Sequence, residues 1–224
     1  MTTPESPSLK SLILVPSVIT LAVTLLRLIG ELQNWSPVFF SRAAGGAGAI
    51  VGISWLPPIF GAYFAYKLAR TGQAPGAGRV IGYAALAIAV VAGGIFGSMR
   101  LLRENRNAQF LVLIVVFVIG GAIAYQGWST LGKTLFAYGL AARIPVALVM
   151  LVAIYGNWGT HYDVSPPNFT EMAPLAKWFF IGLLPQMFMW IPFTICLGAL
   201  FGGLTLLFVG ARRDAPVAPT PRVA

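Results

Sequence analysis

The chain has 224 residues, 58% hydrophobic and only 9% charged, whereas ordinary soluble proteins are roughly 25% charged. Six carboxylates and 15 bases are too few to cover a water-facing surface of this size, so a soluble globular domain is excluded. The net charge of +9 does not point to nucleic acid, because the bases sit at the ends of apolar runs rather than on one face or in a tail. Such placement suits membrane topology and attraction to anionic lipid headgroups.

Met1 to Lys10 is short and rich in Pro, Ser and Thr, and it reads as a disordered tail. Ser11 to Leu28 is longer than a signal-peptide core and is followed by no small-residue cleavage pattern, so it reads as a first span. Arg42 and Lys67 then bound 24 uncharged residues, and a second span is drawn over Gly45–Leu68, with Pro57 and Pro58 near its centre. A third span covers Arg79–Met99, and a tight polar turn, Arg100–Arg106, leads to a fourth over Ala108–Trp128. A fifth, Leu131–Tyr155, contains Arg143 and Pro145.

After the polar loop Gly156–Glu171, the apolar run Met172–Val209 is too long for one untilted crossing. It divides into a short interfacial helix near Ala173–Leu184 and a sixth span over Pro185–Val209, with a re-entrant segment as the rival reading. The expected fold is thus all-α: a polytopic transmembrane bundle of about six spans, one domain over 11–209, followed by a disordered Pro/Ala-rich tail over 210–224. Both termini then share a side. With the N-terminus cytoplasmic, eight bases fall inside and five outside, which favours that orientation and a plasma or inner membrane. Arg100, Arg103 and Arg106 dissent from it. Trp35, Trp158 and Trp178 would form an outer aromatic belt.

Three GxxxG pairs, Gly48/Gly52, Gly93/Gly97 and Gly198/Gly202, clear helix faces for close packing within the bundle or in a homo-oligomer. Gly46-x-Gly48 is no dinucleotide loop, since no strand precedes it.

Residues with chemical potential are few. Pro57 and Pro58 inside a span would free the carbonyls of Ile53 and Ser54, and the Ser54 hydroxyl is one group able to answer them. Arg143 has nine uncharged residues before it and 17 after. An arginine at mid-span costs about 2.5–3.5 kcal/mol on insertion scales and usually faces the bundle interior or water. Pro145 would free the Ala141 carbonyl beside it. The competing reading starts the fifth span near Ile144 and leaves Arg143 as a flank. Arg27 and Glu31, at i,i+4, read as a local, partly exposed ion pair.

In the outer loop, His161, Asp163 and Glu171 offer a base and carboxylates. They lack a nucleophile motif, and a loop folded by its own hydrogen bonds explains them as well. A zinc site needs three or four ligands, and Cys196 is the single cysteine, so neither metal nor cofactor is expected.

Three function classes follow. The first is a non-enzymatic subunit or assembly partner of a membrane complex. The second is a small transporter or channel for an anionic or polar solute, using Arg143 with Ser54, Tyr63 or Gln126. The third is a membrane enzyme working through the His161/Asp163 loop. The scarcity of acid/base residues ranks the enzyme last, and the preference falls narrowly on the subunit.

Overall fold

A computed structural model describes residues 8–46, 48–72, 74–166 and 170–213, with side chains to 209. Of the tails expected to be disordered, 1–7 and 214–224 lie outside these residues, whereas Leu9 and Lys10 belong to the first helix and 210–213 to the last. The protein is an α-helical transmembrane bundle with no strand among the described residues. Its helices are α1 (Leu9–Leu32), α2 (Leu56–Ala69), α3 (Ala77–Leu101), α4 (Arg106–Gly127), α5 (Ser129–Gly156), α6 (Pro174–Lys177) and α7 (Ile191–Arg213). Five stretches are long and apolar enough to cross a membrane: α1, α3, α4, α5 and the run Pro174–Val209.

The second expected span is corrected. Helix α2 starts at Leu56 and has 14 residues, about 21 Å at 1.5 Å per residue, which is short of a hydrocarbon layer about 30 Å thick. Pro57 and Pro58 occupy its first turn instead of kinking its middle. The first-turn N–H groups of a helix have no intrahelical acceptor, so proline is cheap there. No carbonyl is freed inside a helix at Ile53 or Ser54, which lie in a short 3₁₀ turn ahead of α2.

The stretch between α1 and α2 is irregular, and Gly45, Gly46 and Gly48 hold positive φ of 70°, 76° and 79°. Gly48/Gly52 is therefore not a helical packing pair. Irregular backbone at membrane depth is tolerated where protein buries it or a cavity adjoins it, and here Gly45, Gly46, Gly52, Ile53 and Ser54 line a cavity.

The last apolar run also differs from its expected division. Helix continues without a break from Pro174, through π-helical stretches at Trp178–Leu183 and Gln186–Trp190, into α7. Pro185 lies between the two π stretches, where the widened turns absorb the missing N–H without ending the helix.

Helix α7 is the central post of the bundle. Gly61 of α2 crosses it so closely that a Cβ there would lie 2.3 Å from the Gly198 carbonyl oxygen. Gly202 meets Ala65 and Leu131, and Gly203 meets Val80 and Ile81. The Gly198/Gly202 pair thus packs within the bundle, whereas Gly93 and Gly97 of α3 have nothing within 4 Å. Tyr138, Phe64, Leu131 and Leu135 fill the centre. The Tyr138 hydroxyl lies 2.7 Å from Thr20 Oγ1, which ties α5 to α1.

These contacts predict opposite outcomes for two glycines. Gly61→Ala should destabilise by on the order of 1–3 kcal/mol through overpacking. Gly97→Ala should be neutral or stabilising by up to about 1 kcal/mol from helix propensity. Thermal unfolding of both variants in detergent checks this, and equal effects would contradict the crossing.

Candidate functional site

The ends of α1 and α5, the start of α2 and the loops 33–55 and 157–173 meet at one end of the bundle. Their meeting point is Glu31, which is 1% exposed. Arg27, one turn earlier on α1, gives Nε to Glu31 Oε1 at 2.8 Å. Its Nη2 reaches the carbonyls of Ser41 and Gly46, each at 3.1 Å. Arg42 donates to the Glu31 backbone carbonyl.

From the other loop, the His161 backbone N–H donates to Glu31 Oε2 at 2.8 Å, and its ring Nδ1 lies 2.5 Å from Oε1. The positive-φ loop fits around the guanidinium: a Cβ on Gly46 would lie 3.2 Å from Arg27 Nη2, and one on Gly52 3.1 Å from Nη1. The Arg27–Glu31 pair is therefore buried, not the partly exposed local pair that spacing suggested.

Burial holds the His161 imidazole below the ordinary histidine pKa. The Arg27 charge acts in the same direction, against the hydrogen bond from Glu31 and the charges of Glu31 and Asp163. A neutral ring donating from Nδ1 to the carboxylate fits this. Tyr162 donates to the Thr24 carbonyl at 3.2 Å, and burial pushes its phenol up despite Arg27.

Asp163 is engaged within its own loop. It accepts from the Gly159 N–H (2.8 Å), the Thr160 N–H (2.7 Å) and the Thr160 hydroxyl (2.7 Å). His161 thus turns away from Asp163 toward Glu31. Glu171 is exposed, and among the described residues no three His, Cys, Asp or Glu side chains gather closely enough to hold a metal.

Below this cluster lies a cavity of about 870 Å³. Arg27 and His161 lie on its wall, together with Arg106 from α4, Arg143 from α5 and Gln186 and Trp190 from the π-helical stretch. Ser54 also lines it; Pro57, Pro58, Pro145, Tyr63 and Gln126 do not. Most of the remaining wall is apolar, with Ile114, Met150, Phe180 and Leu184 among it. Three arginines and no carboxylate face the cavity among the described residues.

Comparison with protein-family models, with curated proteins and with solved structures finds no match. The site must speak through its own geometry.

Arg143 decides that geometry. Helix α5 begins at Ser129 and runs unbroken past Pro145, so Arg143 sits at its middle and the flanking reading is overturned. It is 4% exposed. Its guanidinium stacks 4.7 Å over the Trp190 ring and makes one long hydrogen bond, Nη1 to Gln186 Oε1 at 3.4 Å. Its Nε has no partner, and among the described residues the ion pairs all involve Glu31, not Arg143.

Gln186, Trp190 and Arg106 were not singled out from sequence. The available signal was weak: a lone glutamine within an apolar run, and a basic cluster on the side where topology disfavours it.

Two outcomes follow. Glu31→Gln leaves Arg27 buried without its counter-charge and should cost about 3–5 kcal/mol, read as a large drop in unfolding temperature. His161, with its folded pKa below the unfolded value of about 6.5, supports stability fully above that pH. The unfolded chain protonates first as the pH falls, so that support is lost as the pH drops below about 6.5 and through the folded pKa. Stability of the wild type should therefore fall more steeply over that range than that of His161→Gln; parallel curves would exclude the linkage.

Proposed function

We propose that this protein binds an anionic solute within the bilayer, in the cavity headed by Arg143, as a small carrier or binding protein. The observation that carries this reading is the state of Arg143: buried at mid-helix, facing a cavity, with an unpartnered Nε and no carboxylate beside it. A purely structural arginine in such a place normally pairs with a counter-charge, as Arg27 does with Glu31.

The lining supports the same reading. A guanidinium offers five donors in a planar fork suited to carboxylate or phosphate, and Trp190 holds one face of it. Ser54 and Gln186 add polar contacts. The π-helical turns that present Gln186 and Trp190 are a backbone form that recurs at functional sites. An N-terminus on the cytoplasmic side of a plasma or inner membrane, rich in anionic lipid, is the setting proposed from the charge count.

The reading of the chain as a subunit or homo-oligomer draws on one separate observation, the bare Gly93/Gly97 face of α3. The enzyme reading has less behind it, since Asp163 is held by its own loop and His161 by Glu31.

Trp190 provides a reporter. Inorganic phosphate and pyrophosphate should change its emission saturably at constant ionic strength and raise the unfolding temperature. Arg143→Gln should abolish both effects, and Arg143→Lys should weaken binding by roughly tenfold, having lost the fork. Absence of response to either anion in the wild type, or an unchanged response in Arg143→Gln, would overturn the proposal.

A further inference from the structure

The cavity wall has two chemical components. One is basic, formed by Arg27, Arg106 and Arg143; the other is hydrocarbon, with Phe110, Ile114, Met150, Phe180, Leu184 and Met189 among it. A free inorganic anion has no use for so much apolar surface, and burying its charge against that surface would penalise binding. An amphiphile uses both.

The helix packing also leaves a way in from the side. Helices α1 and α4 both line the cavity, yet among the helices α1 packs on α5 and α2 and not on α4. The cavity is therefore not closed by helix contact between them. Leu111 of α4 lines the cavity and is also 63% exposed on the outside of the bundle, so it stands at the rim of this gap. Val23 of α1 and Leu111 and Ile114 of α4 give the cavity apolar side chains from the two helices on either side of the gap, where water-facing entrances carry polar ones.

We infer that the ligand is a phosphate-bearing amphiphile that enters from the bilayer between α1 and α4. Its phosphate sits on Arg143, its chain lies along the α4 and π-helical walls, and Arg106 stands at the headgroup end. The inference rests on the anion-binding reading above and specifies its substrate class: the phosphate is shared between lipid and free anion, and the chain separates them.

The test uses the full chain in an uncharged maltoside detergent, with Trp190 emission as readout and Trp190→Phe as background. Three probes are compared: decyl phosphate, inorganic phosphate and decanol. Decyl phosphate should bind at least about tenfold more tightly than inorganic phosphate, since burial of two methylenes already supplies that factor. Decanol should not produce the response. Arg143→Gln should lose decyl phosphate binding, and Leu111→Phe, at the exposed rim, should shift the affinity for decyl phosphate more than that for inorganic phosphate.

Equal affinity for the two phosphates would overturn the amphiphile and leave the anion site standing. Binding of neither would overturn both. Decyl phosphate binding that survives Arg143→Gln, or a matching response to decanol, would mark mere detergent-like adsorption and also overturn the inference.

Discussion

The buried Arg27–Glu31 pair is the interaction on which one whole end of this bundle depends. It joins three pieces of chain that have no regular structure in common: the end of α1, the glycine loop through Ser41, Arg42 and Gly46, and the loop carrying His161. Neither charge is tolerable alone at that burial, because the attraction between partners offsets desolvation only when both are present and their other donors and acceptors are met. That condition is what holds the irregular chain between α1 and α2 over the cavity.

Much of the fold was legible in the sequence because the bilayer imposes a length. The spans expected over Ser11–Leu28, Arg79–Met99, Ala108–Trp128 and Leu131–Tyr155 correspond to α1, α3, α4 and α5, of which α1, α3 and α5 run a few residues longer than drawn. The second span failed for a physical reason. Hydropathy counts apolar residues but not backbone geometry, and Gly45, Gly46, Gly48 and Gly52 are apolar residues that favour a left-handed or extended path over a helix. Pro57 and Pro58 were read as a kink, although a proline pair is equally a start signal. Reading the glycines and the prolines together would have placed the helix start at Leu56.

The site was less legible because its parts come from distant segments. Arg143 could be suspected from its uncharged surroundings, but its neighbours Gln186 and Trp190 lie more than forty positions along the chain. Their side chains reach it only because the helix widens into π turns there. His161 and Asp163 look like partners by proximity in sequence, yet Asp163 is consumed by three hydrogen bonds from Gly159 and Thr160. Of the three dissenting bases of the α3–α4 turn, Arg106 alone lies on the cavity wall.

The two buried arginines differ in how fully the protein answers them. Arg27 meets a carboxylate and two carbonyls, so its charge and its donors are satisfied by the protein itself. Arg143 meets an amide oxygen at 3.4 Å and an aromatic face, and its Nε meets nothing. Ring and amide stabilise a cation without neutralising it, so the positive potential stays directed into the cavity. In a low-dielectric wall that potential acts far more strongly on an anion than it would in water. The neutral His161 and the exclusion of Glu31 from the cavity wall preserve it, since a carboxylate on that wall would cancel what Arg143 supplies. The protein thus tolerates one incompletely satisfied charge at mid-helix, the feature on which the proposed anion site rests.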